Sequence, residues 1–132
     1  MDAKESKIEI PAVKDAESER PIPTSWRETI KSIVSSFARH DYRLIKSIPG
    51  VAPVPPDTAQ QINSYIQGYG AKLIELPEES WDSSICIWTG NRWDALIDLW
   101  SLSEGRSDLV LSLQVSEENN GFEFKIYMVY VP

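Results

Sequence analysis

The sequence predicts an α+β domain, with two N-terminal helices packed on one face of a four- to five-stranded antiparallel β-meander. Three observations predict it. Apolar residues between positions 26 and 69 recur at helical spacing. Apolar residues after position 84 alternate with polar ones. Three tight-turn signals, Gly90-Asn91, Glu104-Gly105-Arg106 and Asn120-Gly121, cut that second stretch into four runs. Helices followed by hairpin-linked strands form two layers around one core.

Residues 1–23 are polar, charged and bracketed by prolines, ending Arg20-Pro21-Ile22-Pro23. This composition predicts a disordered or loosely docked tail, with residues 24–132 as a single α+β domain. Removing the tail is expected to cost little stability. Ser25-Trp26-Arg27-Glu28 fits a capping box. Trp26, Ile30, Ile33, Val34 and Phe37 follow on one stripe, predicting a helix over about 25–40. Tyr42, Leu44, Ile45 and Ile48 suggest one more helical turn. Four prolines between 49 and 56 make a stiff connection. A second helix is expected over 58–69, capped by Asp57, burying Ile62, Tyr65, Ile66 and Tyr69, and ended by a left-handed Gly70.

Residues 72–76 read as a short edge strand stopped by Pro77. The first turn signal pairs Trp88 with Trp93 and Cys86 with Ala95. The second pairs Leu99 with Leu111 and Ile97 with Leu113. The third pairs Leu113 with Met128 and Val115 with Ile126. These registers agree on faces, and a one-residue slip in any of them would break the set. One face collects Ala95, Ile97, Leu111, Leu113, Val115, Phe124, Ile126, Met128 and Tyr130, and the helices should cover it. The other holds Asp94, Leu96, Asp98, Trp100, Tyr127 and Val129, unusually apolar for a side open to water. Those six are the candidate protein-binding residues. The tail could cover them, a second copy or another protein could, or the face stays exposed.

The chain has 132 residues, 42% hydrophobic, with a net charge of −7. The charge is uneven. Residues 24–47 carry five basic and two acidic groups, whereas residues 48–132 carry four basic and twelve acidic. The acidic part repels phosphate backbones, which argues against nucleic-acid binding, and it attracts cationic partners. No apolar run is long enough to span a bilayer, and the N-terminus lacks the apolar stretch of a secretory signal, so a cytoplasmic location without membrane attachment is expected. A single cysteine, Cys86, excludes an internal disulfide.

No catalytic set assembles. His40, the only histidine, falls at the end of the first helix, where a cation suits the helix dipole. Cys86 sits between Ile85 and Ile87 and reads as an inert core thiol. Asp94 and Asp98 share a face about 13 Å apart at strand rise, loose for a two-carboxylate mechanism. Asp82, Glu78 and Glu79 could join them only through a loop, and no spacing supports a metal. Gly68-Tyr69-Gly70 ends a helix rather than opening one, so it is not a phosphate loop. Neither a cofactor nor a metal is expected.

Leu76-Pro77-Glu78-Glu79 with Trp81-Asp82, then Trp93-Asp94, Asp98-Leu99-Trp100, Glu104-Gly105-Arg106-Ser107-Asp108-Leu109 and Tyr130-Val131-Pro132, resemble an uncharacterised group of small bacterial proteins. The likeness covers about 73–132 and transfers no functional residue. In size, acidity and build the chain also resembles bacterial immunity proteins, which neutralise a cognate toxin. That resemblance implies a non-enzymatic protein binding a cationic, toxin-like partner. The alternatives are an adaptor or self-associating domain, for instance a homodimer through the outer sheet face, and a small carboxylate-dependent enzyme.

Overall fold

The computed structural model describes residues 9–70 and 72–132. In chain order they form β1 (Arg20–Pro21), a 3-10 turn (Thr24–Trp26), α1 (Arg27–Ala38), α2 (Pro56–Tyr69), a second 3-10 turn (Glu78–Asp82), β2 (Ile85–Trp88), β3 (Trp93–Ser101), β4 (Gly105–Glu118) and β5 (Gly121–Tyr130). The fold is α+β with one five-stranded antiparallel sheet in the order β1-β2-β3-β4-β5.

The finer layout differs from the expectation. β1 precedes both helices, and α2 lies at mid-chain, so the helices are not an N-terminal pair laid side by side on the sheet. α2 runs along β5, whereas the closest backbone neighbour of α1 is the 3-10 turn before it. Trp26, fully buried at the end of that turn, meets the sheet edge-on through Trp93, Phe122 and Phe124, with centroids 5.4 to 6.0 Å apart. Such T-shaped pairs add to the gain from burial.

α1 forms because Ile30, Ile33, Val34 and Phe37 share one buried stripe. It stops sooner than expected. His40 takes a left-handed conformation (φ 67), Asp41 N–H donates to Ser36 C=O at 2.9 Å, and His40 N–H donates to Phe37 C=O at 2.9 Å. This closing pattern ends a helix outright, with histidine where glycine is usual. The further helical turn over 42–48 is therefore absent, and Leu44 is also left-handed (φ 53). The Ser25 capping box does not form either; Thr24 instead bonds Ile10, its N–H donating to Ile10 C=O at 3.0 Å. α2 begins two residues early because Pro56 suits a first helical turn, and it ends at left-handed Gly70 (φ 82) as expected. Ile62 and Ile66 are buried, but Tyr65 points to water.

The first hairpin has the expected register, Trp88 opposite Trp93 and Cys86 opposite Ala95. The other two are displaced by two residues. Ile97 lies opposite Leu111 and Val115 opposite Phe124, because the tips fall at 102–104 and 119–120. Left-handed Gly105 (φ 75) follows the first of these tips, and left-handed Asn119 (φ 49) forms the second. An even displacement preserves the faces. Ala95, Ile97, Leu99, Leu111, Leu113 and Val115 are all fully buried on the inner side.

Residues 72–76 do not form the fifth strand. Leu73 makes a single antiparallel bridge to Ser101, and the edge position beside β2 belongs to Arg20–Pro21. The tail is docked, at least over its described part. Ile22 is fully buried, Trp93 Nε1–H donates to Val13 C=O at 2.9 Å, and Lys14 reaches Glu117 at 2.8 Å and the Trp88 ring at 5.2 Å. All these contacts lie on the inner side, where the tail closes the core between Trp26 and the sheet. Too few apolar residues, without periodicity, announce this from sequence.

The far edge of the sheet is also guarded. Gly50 and Ala52 bond both backbone groups of Phe124, and the Gln61 side chain bonds both backbone groups of Val129, at 2.6 and 3.2 Å. An amide side chain thus stands in for a neighbouring strand, a protection of the kind edges require.

Candidate functional site

The six predicted binding residues divide. Asp94, Leu96, Asp98 and Trp100 occupy the outer side of β3, all half-buried, because odd-numbered residues of the strand fill the core. Tyr127 is exposed on β5. Val129 is a correction: it is fully buried on the inner side, opposite Leu111. A register shift places Ser112 opposite Met128 but Leu113 opposite Ile126, so Tyr127 is the extra residue of a β-bulge. One added residue reverses the alternation beyond it. Met128 and Tyr130 therefore replace Val129 on the outer face. Nothing in the alternation of residues 122–131 marks the bulge.

Asp94 lies opposite Gln114 and binds Arg92 Nε at 3.1 Å. Leu96 sits between Ile85 and Ser112. Asp98 lies opposite Val110 and is bolted to the second 3-10 turn. Its carboxylate accepts from Ser83, its C=O accepts from Ser80 at 2.8 Å, and its N–H donates to Ser84 at 3.0 Å. These serines fill the gap on the edge of β3 between β2 and the Leu73 bridge. Trp100 lies opposite Arg106 rather than Val110, because β4 carries two extra residues between Arg106 and Val110. Its ring covers Gly105, where an added Cβ would stand 3.5 Å from the indole. The Trp100 indole N–H is shielded from water and has no hydrogen-bond partner among the described residues. Beyond Asp98 a shallow depression is lined by Arg106, Val110, Val131 and Pro132.

The tryptophans clustered in sequence are dispersed in space. Trp93 is in the core and meets half-buried Trp88 edge-to-face at 4.7 Å, Trp81 is buried beneath the Arg27 guanidinium, and of these four only Trp100 lies on the outer face.

The groups able to do chemistry are occupied. Cys86 is buried, and burial pushes its thiol up to about 11 despite the opposing Arg20 charge. That holds it as an unreactive thiol at neutral pH. His40 Nδ1 lies 3.0 Å from the Tyr42 hydroxyl, which burial pushes above its ordinary value. Among the described residues no three His, Cys, Asp or Glu side chains come together. No described helix is long and apolar enough to cross a membrane.

The family described as Domain of unknown function (DUF7668) matches residues 34–132. The chain belongs to this family. The DUF7668 region spans the outer face entirely. It begins inside α1, so β1, which forms the sheet edge, and Ile22 and Trp26, which complete the core, lie before it. No curated protein and no solved structure matches the chain.

Proposed function

We propose that this DUF7668 protein is a non-enzymatic binding protein that takes a cationic protein partner on the outer face of its sheet, in the manner of an immunity protein neutralising a toxin. One observation carries the reading: both edges of the sheet are occupied while its outer face is left open. β1 ends in proline on one side, and Gly50, Ala52 and Gln61 hold the other. Strand addition at an edge is thereby disfavoured, and the face becomes the available surface. Leu96, Trp100, Tyr127, Met128 and Tyr130 give it apolar and aromatic area. Tryptophan and tyrosine are among the residue types that dominate protein interfaces. The acidity of residues 48–132 favours a basic partner.

The test begins with capture of the partner by the full-length chain, followed by surface plasmon resonance at low and physiological salt. Trp100→Ala should weaken binding by about 2 kcal/mol or more, mainly through faster dissociation. Glu123→Lys, at an exposed outer position, should mainly slow association, and the loss should shrink as salt rises. Equal binding by wild type and Trp100→Ala, both folded, would move the interface elsewhere.

A further inference from the structure

On the opposite side of the molecule from that face, α1, the loop after it and Glu75 enclose a cleft of about 380 Å³. Its walls are unlike the rest of an acidic protein. Lys31, Arg39 and Lys46 line it, together with Ser32, Ser35, Ser36 and Ser47, against the single acid Glu75. The helix places these groups together by spacing: 31, 35 and 39 fall one turn apart, with 32 and 36 beside them.

The cations differ in how far they are already paired. Lys31 is shared between Glu28 and Glu78, each at 3.7 Å. Arg39 and Lys46 have no carboxylate within 4.0 Å among the described residues. Arg39 bonds hydroxyls instead, Ser35 Oγ at 3.0 Å and Ser36 Oγ at 3.5 Å, and the Ser35 hydroxyl in turn donates a hydrogen bond to the Glu75 carboxylate at 2.8 Å. A helix C-terminus alone would account for Arg39. It does not account for Lys46 or for the serines. Ser36 is 2% exposed, and its hydroxyl donates to no acceptor among the described residues. Ser36 lines the cleft beside Arg39, whose guanidinium its oxygen accepts.

We propose that this cleft binds a small phosphate monoester, its phosphate held by Arg39, Lys46 and the hydroxyls of Ser32, Ser36 and Ser47. The phosphoryl oxygens of a phosphate monoester dianion accept hydrogen bonds only and suit a guanidinium with neutral donors around it. The volume lies within the range of small-ligand sites, roughly 300–1,000 Å³. Glu75 positions Ser35 and opposes the anion.

Isothermal titration of the full chain with inorganic phosphate and with glucose 6-phosphate, at constant ionic strength set with chloride, tests it. Both should bind saturably, the ester at least as tightly as the free ion. Arg39→Gln and Lys46→Gln should each weaken binding about tenfold or more, the loss of one charge-assisted contact. Glu75→Gln, which keeps a partner for Ser35 and removes the negative charge, should tighten binding by roughly threefold. Circular dichroism on each variant checks that it is folded. Heat that never saturates for either probe, saturable binding unaltered in both cation variants, binding of the free ion alone, or weaker binding by Glu75→Gln would each overturn the proposal.

Discussion

The two faces of the sheet are built from the same strands and differ in what their residues are free to do. On the inner face Ala95, Ile97, Leu111 and Leu113 are fully buried, and a docked tail seals the margin over Trp93. On the outer face, one residue along in each case, Asp94, Leu96, Asp98 and Ser112 are half-buried, and the carboxylates are held by Arg92 and Ser83. The inner face specifies the fold. The outer face is carried by it, and its side chains differ in how firmly they are held: Asp98 is bonded to the second 3-10 turn, whereas Tyr127 is exposed.

The comparison can be broken at several points. Leu111→Ala should destabilise the chain by about 2–5 kcal/mol, since it empties a fully enclosed site. Chemical denaturation measures it, and a cost below 1 kcal/mol would remove the distinction between faces. Deleting residues 1–19 comes next. It takes Val13 from the Trp93 indole and uncovers Trp88, and a stranded buried donor alone costs about 1–3 kcal/mol. An unchanged thermal midpoint would mean that the inner face closes without its tail.

A pH titration sharpens the same point. The Cys86 thiol is raised in the folded state from its ordinary 9.0 to about 11 by burial. Between those values the unfolded chain has lost a proton that the native chain keeps, so stability should fall as pH rises through that window. Cys86→Ala should flatten this part of the curve, and alkylation by iodoacetamide at pH 8 should require unfolding. The smallest effect is expected from Ser112→Ala, within about 0.5 kcal/mol of neutral. A larger loss would place Ser112 in a packed environment.

The inner face was legible because its signal is redundant. Tips expected at Glu104-Gly105-Arg106 and Asn120-Gly121 set the registers two residues off and still returned Ile97, Leu111, Leu113 and Val115 to the core, since parity survives an even shift. Asn119 tolerates a left-handed backbone almost as readily as Gly121, so the two tip positions look alike in sequence. The outer face depends on single events that leave no pattern. The bulge at Tyr127 turns Val129 inward and Met128 and Tyr130 outward, and two extra residues in β4 bring Arg106 beside Trp100. The tail was illegible for another reason: Val13 contributes a carbonyl, which every residue has, and Ile22 is one isolated apolar residue. The basic cleft draws on α1, the loop after it and Glu75, and only the charge excess over 24–47 hints at it.

The docked tail bears on how the chain acquires its structure during synthesis. β1 pairs with a strand some 65 residues downstream, and Val13 with an indole 80 residues away. Every other strand pair of the sheet joins consecutive strands through a short turn and has a low cost of loop closure. The segment around β1 is therefore among the last to find its place, waiting until residues 85–93 have been made. Through that interval it must remain solvated, and its four basic and six acidic residues among twenty-three suit a segment that waits in water.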